Sequence, residues 1–279
     1  MISVQDVSFS YTAKPFIRAV SFEVGSGEIF GFLGPSGAGK STLQKILTGV
    51  LGGYRGQVIV GGIDVRRHGD GFYEKVGVDF EFPSLYEKLT ARENIEFFAS
   101  LYKKKPIPAM DLLAMVGLEG DADKRVSAFS KGMKSRLNFI KALAHQPEIL
   151  FLDEPTSGLD PTNARIMKNI IKAERDRGRT IILTTHNMHD AAELCDRVAF
   201  IVDGTIRAQD TPRSLVLSRG DTRIKYSWGK DGKGEVLCSA TNADENLLTL
   251  IRENRLTSIH SQEPTLEDIF IDITGRGLE

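Results

Sequence analysis

Cysteine, long apolar runs and net charge are all scarce in these 279 residues. Two cysteines, Cys195 and Cys238, stand in no CxxC spacing, which leaves no disulfide framework to read. Two buried, reduced thiols are expected, with a single disulfide as the alternative. No apolar run approaches the ~18 residues that span a bilayer. The first residues, Met1 to Asp6, lack a basic stretch followed by an apolar one, so no secretory signal is expected. Lys plus Arg number 36 and Asp plus Glu 37, a net charge of −1 that excludes a large, uniformly basic surface for nucleic acid. Long internal repeats and low-complexity segments are also missing. What is present is ordinary: 41% apolar and 26% charged residues, the composition of a globular chain. A chain of this length buries ~75% of its unfolded surface and needs no metal or disulfide to hold a core.

The hydrophobic pattern divides the chain into stretches of different character. Ile2, Val4, Val7 and Phe9 alternate as a strand, Phe22-Glu23-Val24 form another, and Glu28–Leu33 is almost continuously apolar. Leu43, Ile46, Leu47 and Val50 recur at helical spacing, and Arg55–Gly62 reads as a strand ending in a turn. From about 84 to 144 the character is helical. Thr90 and Glu93 form a capping box ahead of Ile95, Phe98 and Tyr102, and Lys103–Pro106 ends that helix. A short helix covers Met110–Val116, and a third opens at Ser130 with Met133, Leu137, Ile140 and Ala144 on one face. Apolar runs return at Ile149–Leu152, Thr180–Leu183 and Val198–Val202, separated by a helix with Asp160 as N-cap, Pro161 at its first position and Gly178 past its end. Buried strands alternating with helices imply an α/β fold with a mostly parallel core sheet. Asp203-Gly204 reads as a hairpin turn. Beyond about Gly220 the pattern restarts: Ile224, Tyr226 and Trp228 alternate, Lys230–Gly234 reads as a turn, and Val236–Cys238 follow. A helix near 243–253, a strand near Ile259 and a capped helix over Thr265–Ile273 complete it. The expected division is 1–219 and a small accessory domain, 220–279.

Two motifs carry chemistry on their own. Gly34-Pro35-Ser36-Gly37-Ala38-Gly39-Lys40-Ser41-Thr42 fits G-x-x-x-x-G-K-[ST] between a predicted strand and a predicted helix. Its glycines let successive backbone N–H groups face phosphate oxygens, and the helix adds its positive end. Lys40 supplies a point charge for β- and γ-phosphates, and the Ser41 hydroxyl is a Mg²⁺ ligand. Asp153-Glu154 follow the apolar strand 149–152, where an aspartate holds Mg²⁺ directly or through water and a glutamate polarises the attacking water. Two solvated loop carboxylates are the bland alternative, disfavoured by the apolar strand before them.

With what lies between and after, these residues resemble the nucleotide-binding subunit of ABC transporters. Phe129-Ser130-Lys131-Gly132-Met133 stands at that family's signature position and opens a helix. The resemblance implies that Ser130 and Gly132 grip the γ-phosphate held by a second copy of the chain, so that two chains sandwich two ATP molecules. Ser157-Gly158-Leu159-Asp160 resembles the D-loop, Thr184-Thr185-His186 ends a strand as the switch histidine does, and Tyr11 matches the aromatic that stacks on adenine. His189 matches no such position and is read as structural. The signature lacks its first glycine and its glutamine. Phe80-Glu81-Phe82-Pro83 carries glutamate where the family offers glutamine, an oxygen that can meet Mg²⁺. Both departures, and the tail Glu263–Phe270, resemble the branch that exports drugs, antibiotics and lipids. The resemblance implies a P-loop ABC ATPase fold with an antiparallel β subdomain, a helical subdomain and an α+β tail. It implies ATP and Mg²⁺ as ligands, Glu154, His186 and Lys40 as catalytic groups, and Ser41, Glu81 and Asp153 around the metal. A separate integral-membrane permease, docked near 81–88, and a peripheral place on the cytoplasmic face of the membrane follow, with no nucleic-acid partner. The rival readings are a soluble ABC-type ATPase acting on ribosome or DNA, and a non-hydrolysing ATP sensor. The first calls for a second cassette or a long coiled-coil insertion, neither of which is seen in these residues, and the second leaves Asp153-Glu154 and His186 unexplained.

Overall fold

A computed structural model describes residues 1–219, 223–229 and 231–275. The chain runs β1 (Ile2–Phe9), β2 (Ile17–Val24), β3 (Ile29–Leu33), α1 (Lys40–Leu47), β4 (Arg55–Val60), β5 (Ile63–Asp64), α2 (Asp70–Tyr73) and β6 (Val76–Asp79). Three helices follow: α3 (Ala91–Ala99), α4 (Ala109–Met115) and α5 (Lys131–Leu143). Strand and helix then alternate through β7 (Ile149–Asp153), α6 (Pro161–Asp176), β8 (Thr180–Thr185), α7 (Met188–Leu194), β9 (Arg197–Val202) and β10 (Thr205–Asp210). Last come α8 (Pro212–Arg219), β11 (Arg223–Trp228), β12 (Gly232–Leu237), α9 (Glu245–Arg252), β13 (Leu256–Gln262) and α10 (Leu266–Thr274).

Two compact units result, the first Met1–Gln209 and the second beginning at Asp210. In the first, a six-stranded sheet has the order β10-β9-β3-β8-β7-β6, and its four pairings from β9 to β6 are parallel. The strands β3, β7 and β8 are buried at every position, as a sheet covered on both faces requires. Asp203 and Gly204, both at positive φ (49° and 72°), make the two-residue turn that joins β9 to β10. A second sheet, β2-β1-β4-β5, is antiparallel throughout, and a bulge at Asp6 shifts its β1–β2 register. Phe22 of β2 stacks on Phe30 and meets Phe32 edge-on at 5.0 Å, locking the two sheets into one core. The helices α3, α4 and α5 fill the interval between β6 and β7. Thr90 and Glu93 form the predicted capping box, and Asp160 and Pro161 open α6. This is the expected α/β class, with its antiparallel β and helical portions.

The second unit is α+β. Its sheet, β12-β11-β13, is antiparallel, and Tyr226, Leu247 and Leu250 form its core with Trp228, Val236 and Leu256. The helix α8 packs on α10 within it. Among the described residues no helix is long and apolar enough to cross a membrane.

Several expectations need correction. Val50 is 60% exposed, because Gly49 at φ 73° stops α1 before it. Tyr102 lies past the end of α3 and stacks instead on His145. Gly232, Lys233 and Gly234 belong to β12 and not to a turn; a Cβ at Gly232 would lie 2.4 Å from the Trp228 ring and one at Gly234 2.3 Å from the Tyr226 ring. Glycine stands there to admit two aromatic rings. Lys230, the first residue of that expected turn, and the boundary residue Gly220 lie outside the described residues. Both cysteines are free, but only Cys195 is buried; Cys238 follows β12 and is exposed.

Candidate active site

The parallel register brings four strand ends level. Leu33 pairs with Thr185, Asp153 with Thr184 and Asp79 with Leu152. The loops that leave β3, β6, β7 and β8 therefore open at one edge of the sheet, where ligands of open α/β sheets bind. A cleft of about 290 Å³ occupies that edge, lined by Ser36–Thr42, Glu81, Asp153, Glu154, His186 and Phe16.

Its floor is the loop between β3 and α1. Gly34 crosses so close to β9 that a Cβ there would sit 2.1 Å from the Ile201 carbonyl oxygen. Lys40, the first residue of α1, is buried and folds back so that Nζ donates to the carbonyls of Gly34 (2.6 Å) and Pro35 (3.1 Å). Burial pushes its pKa down, opposed by the charges of Glu154, Asp153 and Glu81. The lysine thus spans the loop and stays beside three carboxylates. Ser41 lines the same cleft, and the Thr42 hydroxyl bonds the Tyr11 hydroxyl at 3.0 Å.

The opposite wall is acidic. Asp153 ends β7, is 7% exposed, and accepts a short hydrogen bond on Oδ1 from the Thr184 hydroxyl. Glu154 is held at φ 51°, a left-handed conformation uncommon outside glycine. Its N–H donates to Thr184 O at 3.0 Å, its Oε2 accepts from the Thr185 hydroxyl at 3.1 Å, and its Oε1 faces His186 Nδ1 at 2.8 Å. A strained backbone fixed by three contacts is pre-organised, which is the condition a general base needs. The Glu154 side chain is 12% exposed and that of His186 54%, so the imidazole stands between the carboxylate and solvent.

Other predicted residues lie outside this lining. Tyr11 is 57% exposed, edge-on to Phe9 (4.7 Å) and to Phe16 (5.4 Å). Ser130 caps α5, its Oγ accepting from Met133 N–H at 3.2 Å, and it is exposed. Gly132 packs toward Leu159 of the segment 157–160. Asp160 is used as a cap: it accepts from the N–H groups of Thr162 and Asn163, both at 3.1 Å, and from the Asn163 side chain. Those bonds, the Asn163 side chain foremost, lower its pKa. His189 is 84% exposed, at the surface. Sequence reasoning missed Phe16 and the hydroxyl roles of Thr184 and Thr185. Two threonines closing an apolar strand opposite an aspartate were the available signal for the latter; nothing local marks Phe16.

Comparison with known proteins identifies the family. Residues 17–157 match the family model described as ABC transporter. The chain is 48% identical, over its full length and 94% of the relative, to a fluoroquinolones export ATP-binding protein of Mycobacterium tuberculosis (strain CDC 1551 / Oshkosh). It is 32% identical, over its full length and 99% of the relative, to the linearmycin resistance ATP-binding protein LnrL of Bacillus subtilis (strain 168). Among solved structures, a dimeric bacterial ABC transporter cassette superposes with a TM-score of 0.69 at 26% identity, covering 76% of this chain and 98% of the cassette. The chain belongs to the ABC transporter family, as an ATP-binding and ATP-hydrolysing subunit.

Proposed function

We propose that this subunit powers export through a separate integral-membrane permease, on which it docks as a peripheral subunit at the cytoplasmic face of the membrane. The export names of its full-length relatives support that reading, as does the lack of any membrane-crossing helix among the described residues. The observation that carries the enzymatic part is the convergence of Lys40, Asp153, Glu154 and His186 on one cleft at the strand ends. The triphosphate lies along Gly34–Thr42, with Lys40 on its outer phosphates and the adenine against Tyr11. Glu154 takes the proton of the attacking water. Both its oxygens are already oriented by Thr185 and His186, and each keeps a lone pair for that proton. His186 and Lys40 meet the charge that grows on the departing γ-phosphoryl group.

The donors fit Mg²⁺: a Ser41 hydroxyl and the carboxylates of Asp153 and Glu81 line one cleft, all hard oxygen ligands. Asp153 Oδ1 is turned to Thr184, which leaves Oδ2 for the metal or its water. When bound, the ion neutralises charge on the β- and γ-phosphate oxygens.

Ser130, Gly132 and Asp160 do not line the cleft of their own chain. A second copy supplying Ser130 and Gly132 across the nucleotide gives them a use, and the dimeric relative supports that assembly. We assign nucleotide binding to the first unit, with the helical portion about 84–144 moving the permease, and an accessory role to the tail. The test is Glu154→Gln, a near-isosteric loss of the base. It is expected to bind ATP like the wild type and to hydrolyse it ~10²- to 10⁴-fold more slowly. Near-normal turnover would overturn the assignment.

A further inference from the structure

The segment that carries Glu81 has little of its own to hold it. Residues 81–84 are exposed, and among the described residues no backbone–backbone hydrogen bond anchors 80–85. Two side chains one turn apart on α5 bind it instead. Asn138, 2% exposed, donates from Nδ2 to Phe80 O at 3.2 Å and to Asp79 Oδ1 at 2.5 Å. Its Oδ1 accepts from Ser84 N–H at 3.3 Å and from Lys141 Nζ at 2.7 Å. Lys141 Nζ also donates to Ser84 O at 3.0 Å and lies 4.6 Å over the Phe98 ring.

Every hydrogen-bonding position of the Asn138 amide is therefore filled. The segment is pinned at both ends, at Phe80 and at Ser84, with Glu81 one residue inside the first pin. Glu81 lines the nucleotide cleft and also a smaller cavity of about 90 Å³, shared with Asp79, Asn138, Asp153 and Glu154. No other amino acid reproduces the pins at this length: aspartate loses both donors, and alanine leaves the Phe80 carbonyl and Asp79 without their partner. Asn138 lies eight positions beyond Ser130, ~12 Å along the same helix.

We propose that Asn138, assisted by Lys141, is a positioning residue that sets the Glu81 carboxylate at the metal side of the nucleotide cleft and ties it to α5. This rests on the reading of Glu81 as a metal-side ligand, so the experiment separates the two. Mn²⁺ serves as the probe, its affinity for the complex of the whole chain with a non-hydrolysable ATP analogue being read by electron paramagnetic resonance. Analogue affinity without metal is read alongside. Asn138→Ala is expected to weaken Mn²⁺ binding ~10-fold, the usual penalty for losing a group that orients a metal ligand, and to leave metal-free analogue affinity within about twofold. Glu81→Gln is expected to weaken Mn²⁺ similarly, and the double variant no further, because both substitutions remove one interaction. Lys141→Met is expected to shift Mn²⁺ affinity in the same direction and Lys141→Arg to restore it, which guards against an Asn138 variant that folds poorly. If Glu81→Gln weakens Mn²⁺ while Asn138→Ala and Lys141→Met do not, the positioning role is wrong and the site stands. Fully additive losses overturn it too. If Glu81→Gln has no effect, the metal-side reading of Glu81 itself fails.

Discussion

His145 is expected to make folding stability depend on pH. It follows α5, is 1% exposed, and stacks on Tyr102 with 3.7 Å between ring centroids. Its Nε2 faces the Val76 carbonyl oxygen at 3.1 Å, so the neutral ring carries its proton there and donates it. Nδ1 is buried with no partner among the described residues, and a second proton on it would find no acceptor among them. Burial lowers the pKa from 6.5 to about 4; the Val76 carbonyl and Glu74 oppose that shift, and Lys104 and Arg179 add to it. Above pH 6.5 neither the folded nor the unfolded chain binds this proton, and the group is silent. Between pH 6.5 and 4 the unfolded chain takes up a proton that the folded chain refuses, so stability falls as pH falls. The loss levels out below 4. At ~1.4 kcal/mol per pKa unit the full loss is about 3 kcal/mol, and the portion reached at pH 5 is about 2 kcal/mol. Urea denaturation of wild type and His145→Gln at pH 7.5 and pH 5 isolates it, because carboxylates common to both chains cancel in the difference. The glutamine amide still donates to Val76 but does not titrate. Circular dichroism is the signal of choice, since the sole tryptophan, Trp228, lies in the second unit. Wild type is expected to lose about 2 kcal/mol more than the variant on going to pH 5. Equal losses would refute the burial of a neutral imidazole.

Lys40→Ala removes the charge that spans the phosphate loop and leaves Gly34 O and Pro35 O without their donor. Nucleotide affinity, read by titration with a fluorescent ATP analogue, is expected to fall ~30-fold or more, about 2 kcal/mol; unchanged affinity would contradict the loop's role. Gly204→Ala places a Cβ 1.7 Å from Phe16 O at a residue with φ 72°. Thermal or urea denaturation is expected to show a loss of about 3 kcal/mol or more, through strain in the β9–β10 turn. A loss under ~1 kcal/mol would mean that the turn relaxes freely.

Local chemistry explains which features are legible in the sequence alone. The phosphate loop, the Thr90 box and the Asp160-Pro161 start of α6 are each written in contiguous residues whose backbone needs are local. Asp153 and Glu154 were legible because a fully buried strand runs straight into them. The unread features depend on pairing between segments far apart in sequence. That Thr184 sits opposite Asp153 follows from the β7–β8 register, and that Phe16 borders the cleft follows from the path of β2; neither has a local signature. Helical spacing likewise overran the ends of α1 and α3: Gly49 at positive φ follows the first, and Tyr102, past the end of the second, stacks on His145. Asn138 is the sharpest instance. In the sequence it is one polar residue in a helix between Leu137 and Phe139, indistinguishable from a surface position that turned inward. Only the crossing of α5 over the end of β6 puts its amide between Asp79, Phe80, Ser84 and Lys141. A buried polar side chain with every hydrogen-bonding position filled is costly to misplace, since each lost partner leaves a desolvated group behind. That cost fixes the segment bearing Glu81, just as the three contacts on Glu154 fix the base. The nucleotide cleft is thereby shaped from outside its own lining, by residues that no motif contains.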